Sequence, residues 1–489
     1  MSPLKDYLKT IAYYQIQGDE NQKVTQIHFD SRKVVPHPKG GVVYIAQRGT
    51  QTDGHQFIAS AIQNGANIIV CETLPLEVDP NITWVVVPDS SKALGHFAGQ
   101  FYDHPSEKLK LVGITGTNGK TTTVTLLHHL FMSLGYPTGM LSTIVNKINN
   151  REVEATHTTP DALQLNALLN EMVEAGCEYC FMEVSSHALV QGRVEEIHFT
   201  GAVFSNITHD HLDFHHTFAN YIAAKKSLFD NLPKTAFALT NIDDKNGLVM
   251  VQNSAAQIST FSLRSGSTFK GKILDDSFEG VHVKFNEQEV FLRLSGKFNV
   301  YNLLAIYGIA RLLGIEDEEL LPKMSELKSA PGRFQVIPSP TGAIGIVDYA
   351  HTPDALKNVL TTIREITQNS AEVITVVGCG GDRDAQKRPV MAEVACKFSN
   401  KVILTSDNPR TEDPQQILRD MEAGVPMEFK RNVLTIESRR EAIKTACMML
   451  PPNGVLLVAG KGHEKYQIIQ KTKHHFDDVE ELINHFNAQ

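Results

Sequence analysis

At 489 residues the chain is too long for one hydrophobic core, and at about 150 residues per domain it should form roughly three. Apolar residues make up 42% and aromatic residues 7%, an ordinary enzyme composition, and the net charge of -9 without a long Lys/Arg run excludes an electrostatic footprint for nucleic acid. No apolar stretch approaches about 18 residues and the opening MSPLKDYLKTIAYYQ lacks the apolar core of a signal peptide, so a cytoplasmic chain with no membrane insertion is expected.

Residues 1–106 alternate short strand and helix patterns (VTQIHFDSRKV, GVVYIAQRG, HQFIASAIQNG, NIIVCE, TWVVVPD), which predicts a small α/β unit. Polar clusters at Asp30-Ser31-Arg32 and from Arg48 to Gly54 fall at strand ends, where α/β folds bind ligands, although each read alone is a turn.

Residues 107–333 carry the most informative stretch, GITGTNGKTT from Gly113 to Thr122. It lies between an apolar strand pattern and the helical pattern TVTLLHHLFMSLG, the context in which loop N–H groups and a helix N-terminus hold phosphate. Lys120 would reach the terminal phosphates and the Thr121 hydroxyl a magnesium ion. The spacing departs from G-x-x-x-x-G-K-[ST], because Ile114 occupies the first glycine position.

Further on, Thr158-Thr159-Pro160-Asp161 precedes the helical pattern DALQLNALLNEMVEAG; it reads as a helix cap or as a substrate contact at a helix N-terminus. The strand YCFMEV ends in Glu183, followed by Ser185, Ser186 and His187, which puts a carboxylate beside the loop where it could hold magnesium. GAVFSNI leads into four histidines and two aspartates between His209 and His216, a density that points to a metal or phosphate role. In YIAAKKSLF, Lys225 and Lys226 read as phosphate or solvent contacts, since an ammonium is repelled by magnesium. Residues 257–295 alternate as a peripheral β-rich segment; GKFNVYN at 296–302 then opens an apolar helix and Pro331-Gly332-Arg333 breaks the pattern.

Residues 334–489 alternate strand and helix throughout, which predicts a doubly wound parallel sheet. Polar clusters follow four strands, at Asp348 to His351, Gly380 to Asp384, Ser406 to Arg410 and Gly460 to Glu464, and four such loops at one sheet edge are a site signal. The six scattered cysteines read as reduced thiols; Cys177-x-x-Cys180 has no second pair with which to bind zinc.

This succession (GTNGKTT, TTPD, MEVSSHAL, DHLD, AAK, GKFNVYN, PGR, DYAHTPDAL, GCGGDRD, DNPR, GKGHE) resembles the Mur ligases along nearly the whole chain. The resemblance implies a three-domain α/β protein: residues 1–106 binding a UDP-muramoyl substrate, a central phosphate-loop ATPase domain at 107–333, and a Rossmann-like domain at 334–489 that brings the amino acid. It implies ATP and Mg2+ as cofactors, a monomer, and amide formation through an acyl phosphate during peptidoglycan precursor synthesis. Carried over by position, Gly116, Thr117, Asn118, Gly119, Lys120, Thr121, Thr122, Asn302, Arg333 and Asp348 surround ATP, with Tyr349 or His351 near the adenine. Thr121, Glu183, His211 and a carbamylated Lys225 are the implied metal ligands, and Lys120, Glu183, His211 and Lys225 the implied catalytic set. A carbamate turns the Lys225 ammonium into an anion that magnesium accepts. Ser31, Thr50, Gln51, Thr52, Thr158, Thr159, Ser185, Gln191 and Arg193 fall along the UDP-muramoyl-dipeptide.

Arg383, Asp407, Asn408, Pro409, Arg410, Gly460 and Glu464 fall at the amino acid, for which the resemblance implies meso-diaminopimelate. Arg410 could pair with its distal carboxylate and repel lysine's ammonium. Lys465 departs from the acidic or small polar residue expected after Gly-His-Glu. The alternatives are a lysine-adding relative, a folylpolyglutamate synthetase, and a phosphate-loop kinase or ATPase. A dinucleotide oxidoreductase is excluded by the lack of G-x-G-x-x-G after the first strand.

Overall fold

The computed structural model describes residues 2–49, 52–264 and 266–487. Three β-sheets follow one another along the chain, each flanked by helices. The first has five strands between Gln15 and Val86, in which Val42–Ile45, Ile68–Cys71 and Thr83–Val86 run parallel and Gln15–Gln17 adds an antiparallel edge. Its last helix, Ser90–Phe101, is started by Asp89, whose side chain accepts from Ser91 N and Lys92 N. That helix packs against helix Ala162–Glu174 of the next unit, with Leu94, Phe97 and Ala162 in one buried cluster.

The second sheet has eleven strands. Its parallel core runs in the order Gln257–Ser262, Phe237–Asn241, Gly201–Phe204, Lys110–Thr115, Tyr179–Glu183, Thr138–Leu141. The chain passes from one side of Lys110–Thr115 to the other after Tyr179–Glu183, so the phosphate loop sits where strand order reverses, the usual crevice for ligands in such sheets. The segment expected to be peripheral is instead continuous with this sheet: Phe269–Ser277 pairs with Gln257–Ser262, and Gly280–Phe285 and Gln288–Leu292 follow antiparallel. Residues Val281, Val283 and Phe285 are buried with helix Lys297–Leu312, which explains the alternation in VHVKF.

The third sheet orders Gln335–Pro338, Ile344–Asp348, Val455–Ala459, Val373–Cys379, Lys401–Ser406, Val433–Thr435; all but the first pair are parallel. Val455–Ala459 and Val373–Cys379 are buried at every residue because helices cover both faces, hence their unbroken apolar runs. An additional hairpin, Tyr466–Ile469 with Thr472–His475, follows the last polar cluster.

Candidate active site

The loop after Lys110–Thr115 closes through two glycines with left-handed φ, Gly116 at 152° and Gly119 at 90°. A Cβ on Gly116 would lie 2.0 Å from Ser205 Oγ, and one on Gly119 would lie 2.3 Å from Asn302 Oδ1, so neither position admits a side chain. This Gly116/Gly119 pair does the work that the usual first glycine does elsewhere, which accounts for Ile114. Asn206 supports the turn: its Oδ1 accepts from Asn118 N at 2.9 Å and its Nδ2 donates to Asn118 O at 3.0 Å. Lys120 opens helix Lys120–Ser133 and its Nζ donates to Gly116 O (2.8 Å) and Thr117 O (2.9 Å). Bonded only to neutral carbonyls, it has its pKa lowered by burial, with Glu183 and Asp210 opposing and Arg333 adding to the effect. An anionic phosphate is the partner such an ammonium lacks.

Beside the loop, Glu183 is buried at the end of its strand. Its Oε1 accepts from Thr143 N at 2.8 Å and its Oε2 from Thr143 Oγ1 at 3.2 Å. Thr143 Oγ1 also bonds Thr158 Oγ1 at 3.1 Å. The cap expected in the TTPD segment is Asp161 alone, accepting from Gln164 N at 2.9 Å. Thr159 instead donates to Glu183 O (2.9 Å), Ser185 N donates to Thr159 Oγ1 (3.0 Å), and Arg193 bonds Thr159 O (2.7 Å) and Gln191 Oε1 (2.8 Å). Thr158, Thr159, Ser185, Gln191 and Arg193 therefore form one network at the strand end next to Glu183.

Lys225 lies inside. On helix Phe218–Asp230 it is buried, donating to Gly116 O at 2.9 Å with its ammonium over the Tyr221 ring at 4.8 Å. Burial, with repulsion from Lys120 second, holds its pKa well below the ordinary lysine range. Lys226 points away and pairs with Asp230. His211 sits in left-handed backbone, half-exposed, with its ring against His187 (centroids 4.8 Å) and Tyr221 (6.2 Å); it makes no hydrogen bond to Glu183 or Lys225 among the described residues. His215 is buried against Ser186 Oγ at 2.9 Å and is a packing residue, its pKa lowered by burial to about 4.

The third sheet meets this loop at several points. Arg333 Nη2 donates to Thr121 Oγ1 at 3.3 Å, its guanidinium lies 4.6 Å over the Tyr349 ring, and its Nε is buried without a hydrogen bond. Asp348 accepts from Phe334 N at 2.6 Å, and burial raises its pKa to about 6 against the pull of Arg333. Tyr349 lies between His351 and His463 at 4.6 and 4.9 Å. Asp354, in the first turn of helix Pro353–Ile366, accepts from Asn118 Nδ2 (3.3 Å) and Thr208 Oγ1 (3.2 Å).

Backbone contact joins Gly332 to the last polar cluster: a Cβ there would stand 2.1 Å from Gly462 C and His463 N. In that cluster Asp407, Asn408 and Lys461 are buried, and Asn408 Nδ2 donates to Glu464 Oε2 at 2.7 Å. Arg410 Nη1 donates to Gly381 O at 2.9 Å, leaving its Nε and Nη2 without bonds to described residues. Arg383 is exposed, and both it and Arg410 border Gly380, whose Cβ would lie 3.9 Å from Arg383 Cγ and 2.8 Å from Arg410 Nη1. Lys465 faces outward near Asp477 at 3.8 Å, which explains why an unusual residue is accommodated there.

Ser31 is buried under Asn64, whose Nδ2 donates to Ser31 O at 2.9 Å, and Thr52 is exposed; among the described residues no hydrogen bond joins either to the phosphate loop. Thr50 and Gln51 lie outside the described residues. Cys177 and Cys180 are buried, with thiol pKa values raised by burial, as expected of packing residues. Three participants were given no role by the sequence reading. Thr143 lies in no quoted motif, while Asp354 and Lys461 stand inside DYAHTPDAL and GKGHE without being singled out.

A phosphate loop at the switch point of one parallel sheet, joined through an arginine and an aspartate to the loops of a second, defines a multidomain nucleotide-dependent enzyme. Comparison with known proteins gives the family. Residues 23–102 match the Mur ligase family catalytic domain, 114–310 the Mur ligase middle domain and 332–462 the Mur ligase glutamate ligase domain. The chain belongs to the Mur ligase family. It is 52% identical over 483 residues to the UDP-N-acetylmuramoyl-L-alanyl-D-glutamate--2,6-diaminopimelate ligase of Phocaeicola vulgatus, covering 99% of each chain. It is 54% identical over 485 residues to the ligase of that name from Cytophaga hutchinsonii, covering 98% of this chain and 99% of the relative. A solved structure bearing the same ligase name superposes with a TM-score of 0.71 at 34% identity, covering 100% of this chain and 99% of the other. No described helix is long and apolar enough to cross a membrane.

Proposed function

We propose that this chain uses ATP to join meso-diaminopimelate to the D-glutamate side-chain carboxylate of UDP-N-acetylmuramoyl-L-alanyl-D-glutamate, in cytoplasmic peptidoglycan precursor synthesis. The names of the full-length relatives support it. The observation that carries it is the junction of the Lys120 loop with Arg333 and, through the close approach of Gly332 to Gly462 and His463, with the loop that ends in Glu464, which supports a phosphate site and an amino-acid site side by side. In this reading residues 1–106 hold the uridine end, 107–333 the nucleotide, and 334–489 the amino acid.

Carboxylate oxygen is a poor leaving group, so the glutamate oxygen first takes the γ-phosphoryl group of ATP and ADP departs. The amine of diaminopimelate then attacks the acyl phosphate carbon, the new C–N bond forms, the amine loses its proton, and phosphate leaves. Lys120 holds the transferring phosphoryl charge, and the loop N–H groups of residues 116 to 122 fix it. Arg333, with a buried Nε still to be satisfied, completes the phosphate contacts, while Asn302, Asp348 and Tyr349 border the nucleoside. Thr158, Thr159, Ser185, Gln191 and Arg193 would line the muramoyl-dipeptide next to Glu183.

Magnesium fits this donor set: the Thr121 hydroxyl, the Glu183 carboxylate and a Lys225 carbamate are hard oxygens, with His211 at the rim. No group of three His, Cys, Asp or Glu among the described residues forms a metal site by itself. When bound, the ion neutralises charge on the phosphates.

The reading is tested by phosphate release from ATP with the UDP-muramoyl-dipeptide and meso-diaminopimelate, L-lysine or no amino acid. Release requiring diaminopimelate is expected; release with lysine instead would keep the ligase and remove the assigned acceptor. Arg410→Ala should raise KM for diaminopimelate at least about 30-fold, the scale of one or two charge-assisted bonds near 2 kcal/mol. An unchanged KM would remove Arg410 from the specificity site.

A further inference from the structure

Lys461 is fully buried in the amino-acid cluster. Its Nζ contacts three acceptors, Asn408 Oδ1 at 3.0 Å, Glu464 Oε2 at 3.3 Å and Asp407 Oδ1 at 3.4 Å, which matches the three donors of an ammonium. These contacts also set the neighbours' orientations. Asn408 Oδ1 accepts from Lys461 and from Ile468 N at 2.8 Å, so its Nδ2 is directed to Glu464 Oε2 at 2.7 Å. Glu464 Oε2 is thereby occupied twice, while its Oε1 has no hydrogen bond to a described residue. Gly460, at φ 117°, leaves room for Asp407: a Cβ there would stand 2.8 Å from Asp407 Oδ2. Behind the loop, Arg439 forms a buried two-pronged pair with Asp478 (both contacts 2.7 Å) and donates to Ala459 O at 3.0 Å, fixing the strand end from which the loop departs.

We propose that Lys461 is a positioning residue for the amino acid, a built-in counter-ion that bridges Asp407 and Glu464 and leaves the acidic half of the pocket one net negative charge. This rests on the ligase reading above. Two carboxylates against one ammonium leave a single charge, the right amount for the ammonium at the non-reacting end of a diamino acid. Arg410 and Arg383, which border Gly380, supply the opposite sign for the carboxylate at that same end. The site is therefore polarised to receive a zwitterion, and Lys461 opposes the rise in the Glu464 pKa that burial and Asp407 produce.

The charge environment gives the sign of the effect. Asp407, Lys461, Tyr349, Tyr466 and Arg439 face Glu464, and Asn408 bonds it. Burial and Asp407 raise the Glu464 pKa, and Lys461 and Asn408 pull it back. Removing the Lys461 charge sends it further up, so the carboxyl is protonated at low pH and regained as pH rises.

The test uses Lys461→Met and Lys461→Gln in the full chain, with steady-state phosphate release measured between about pH 6.5 and 9. Both variants should raise KM for meso-diaminopimelate about tenfold or more at neutral pH, leave KM for ATP within about twofold, and recover as pH rises. An unchanged KM, a rise that ignores pH, or equal rises in both KM values would overturn the proposal. Full recovery in Lys461→Gln would assign hydrogen bonding rather than charge and overturn it too. Loss of the cooperative thermal melt in both variants would make Lys461 a folding residue and would likewise overturn it. If the wild-type chain releases no phosphate with diaminopimelate, the ligase reading fails first and separately.

Discussion

Replacing Lys120 by alanine is expected to lower kcat for phosphate release by about 10³-fold, a loss near 4 kcal/mol of stabilisation at the transferring phosphoryl group. The expectation follows from position. Lys120 begins the helix proposed to receive the phosphates, and among the described residues its ammonium hydrogen-bonds the carbonyls of Gly116 and Thr117 alone. Those two bonds tie the side chain to the loop without neutralising it. The fold should survive, because Gly116, Gly119 and Asn206 build the turn without the lysine side chain. Binding of the UDP-muramoyl-dipeptide, followed calorimetrically, should be little changed. Turnover within a few-fold of wild type would remove the loop from catalysis.

The second large effect is expected at Lys225. Burial, with repulsion from Lys120 second, holds the pKa of this amine well below the ordinary lysine range and so favours its neutral, nucleophilic form. Its nitrogen can add to carbon dioxide, forming the N–C bond and releasing a proton, to leave a carbamate whose negative charge would offset Lys120 and, in the ligase reading, would serve as an oxygen donor to magnesium. Carbon-13 NMR of the protein in labelled bicarbonate should show one carbamate resonance, lost in Lys225→Ala and retained in Lys226→Ala. Lys225→Ala should lose activity by about 10²-fold or more. Lys226→Ala, whose side chain pairs outward with Asp230, should remain active. A resonance surviving in Lys225→Ala would assign the modification elsewhere.

Much of this site was readable in one dimension because parallel strands expose their chemistry at one end. Glu183, Asp348 and Asp407 each stand at or just past the last residue of a buried strand, and the change from apolar run to polar cluster marks the edge of the sheet. What escaped depended on tertiary approach. The pairing of Phe269–Ser277 with Gln257–Ser262, which makes the β-rich segment part of the main sheet, is a register choice that local alternation does not encode. The TTPD segment offered several capping side chains, and only the fold separates Asp161, which caps, from Thr159, which braces Glu183 and Ser185. Lys225 and Lys226 are adjacent in sequence and opposite in fate because helix Phe218–Asp230 turns one inward and the other toward its own next turn. Lys461 stood within the Gly460–Glu464 cluster, but its role was not legible because its acceptors come from residues 407, 408 and 464, brought together by the third sheet.

Asp354 has a thermodynamic consequence. Its carboxylate receives hydrogen bonds from Asn118 in the phosphate loop and Thr208 beside it, while its own helix belongs to the sheet that carries the amino-acid loops. In the ligase reading, the free energy of those two bonds would be a coupling term shared by the nucleotide and the amino acid. A nucleotide that broke or strengthened those bonds would change the affinity for the amino acid, and the amino acid would then change the affinity for the nucleotide by the same factor. Two bonds to a carboxylate are worth about 3 kcal/mol or more together, enough to carry a reciprocal effect on the order of 100-fold if both were made in only one ligand state.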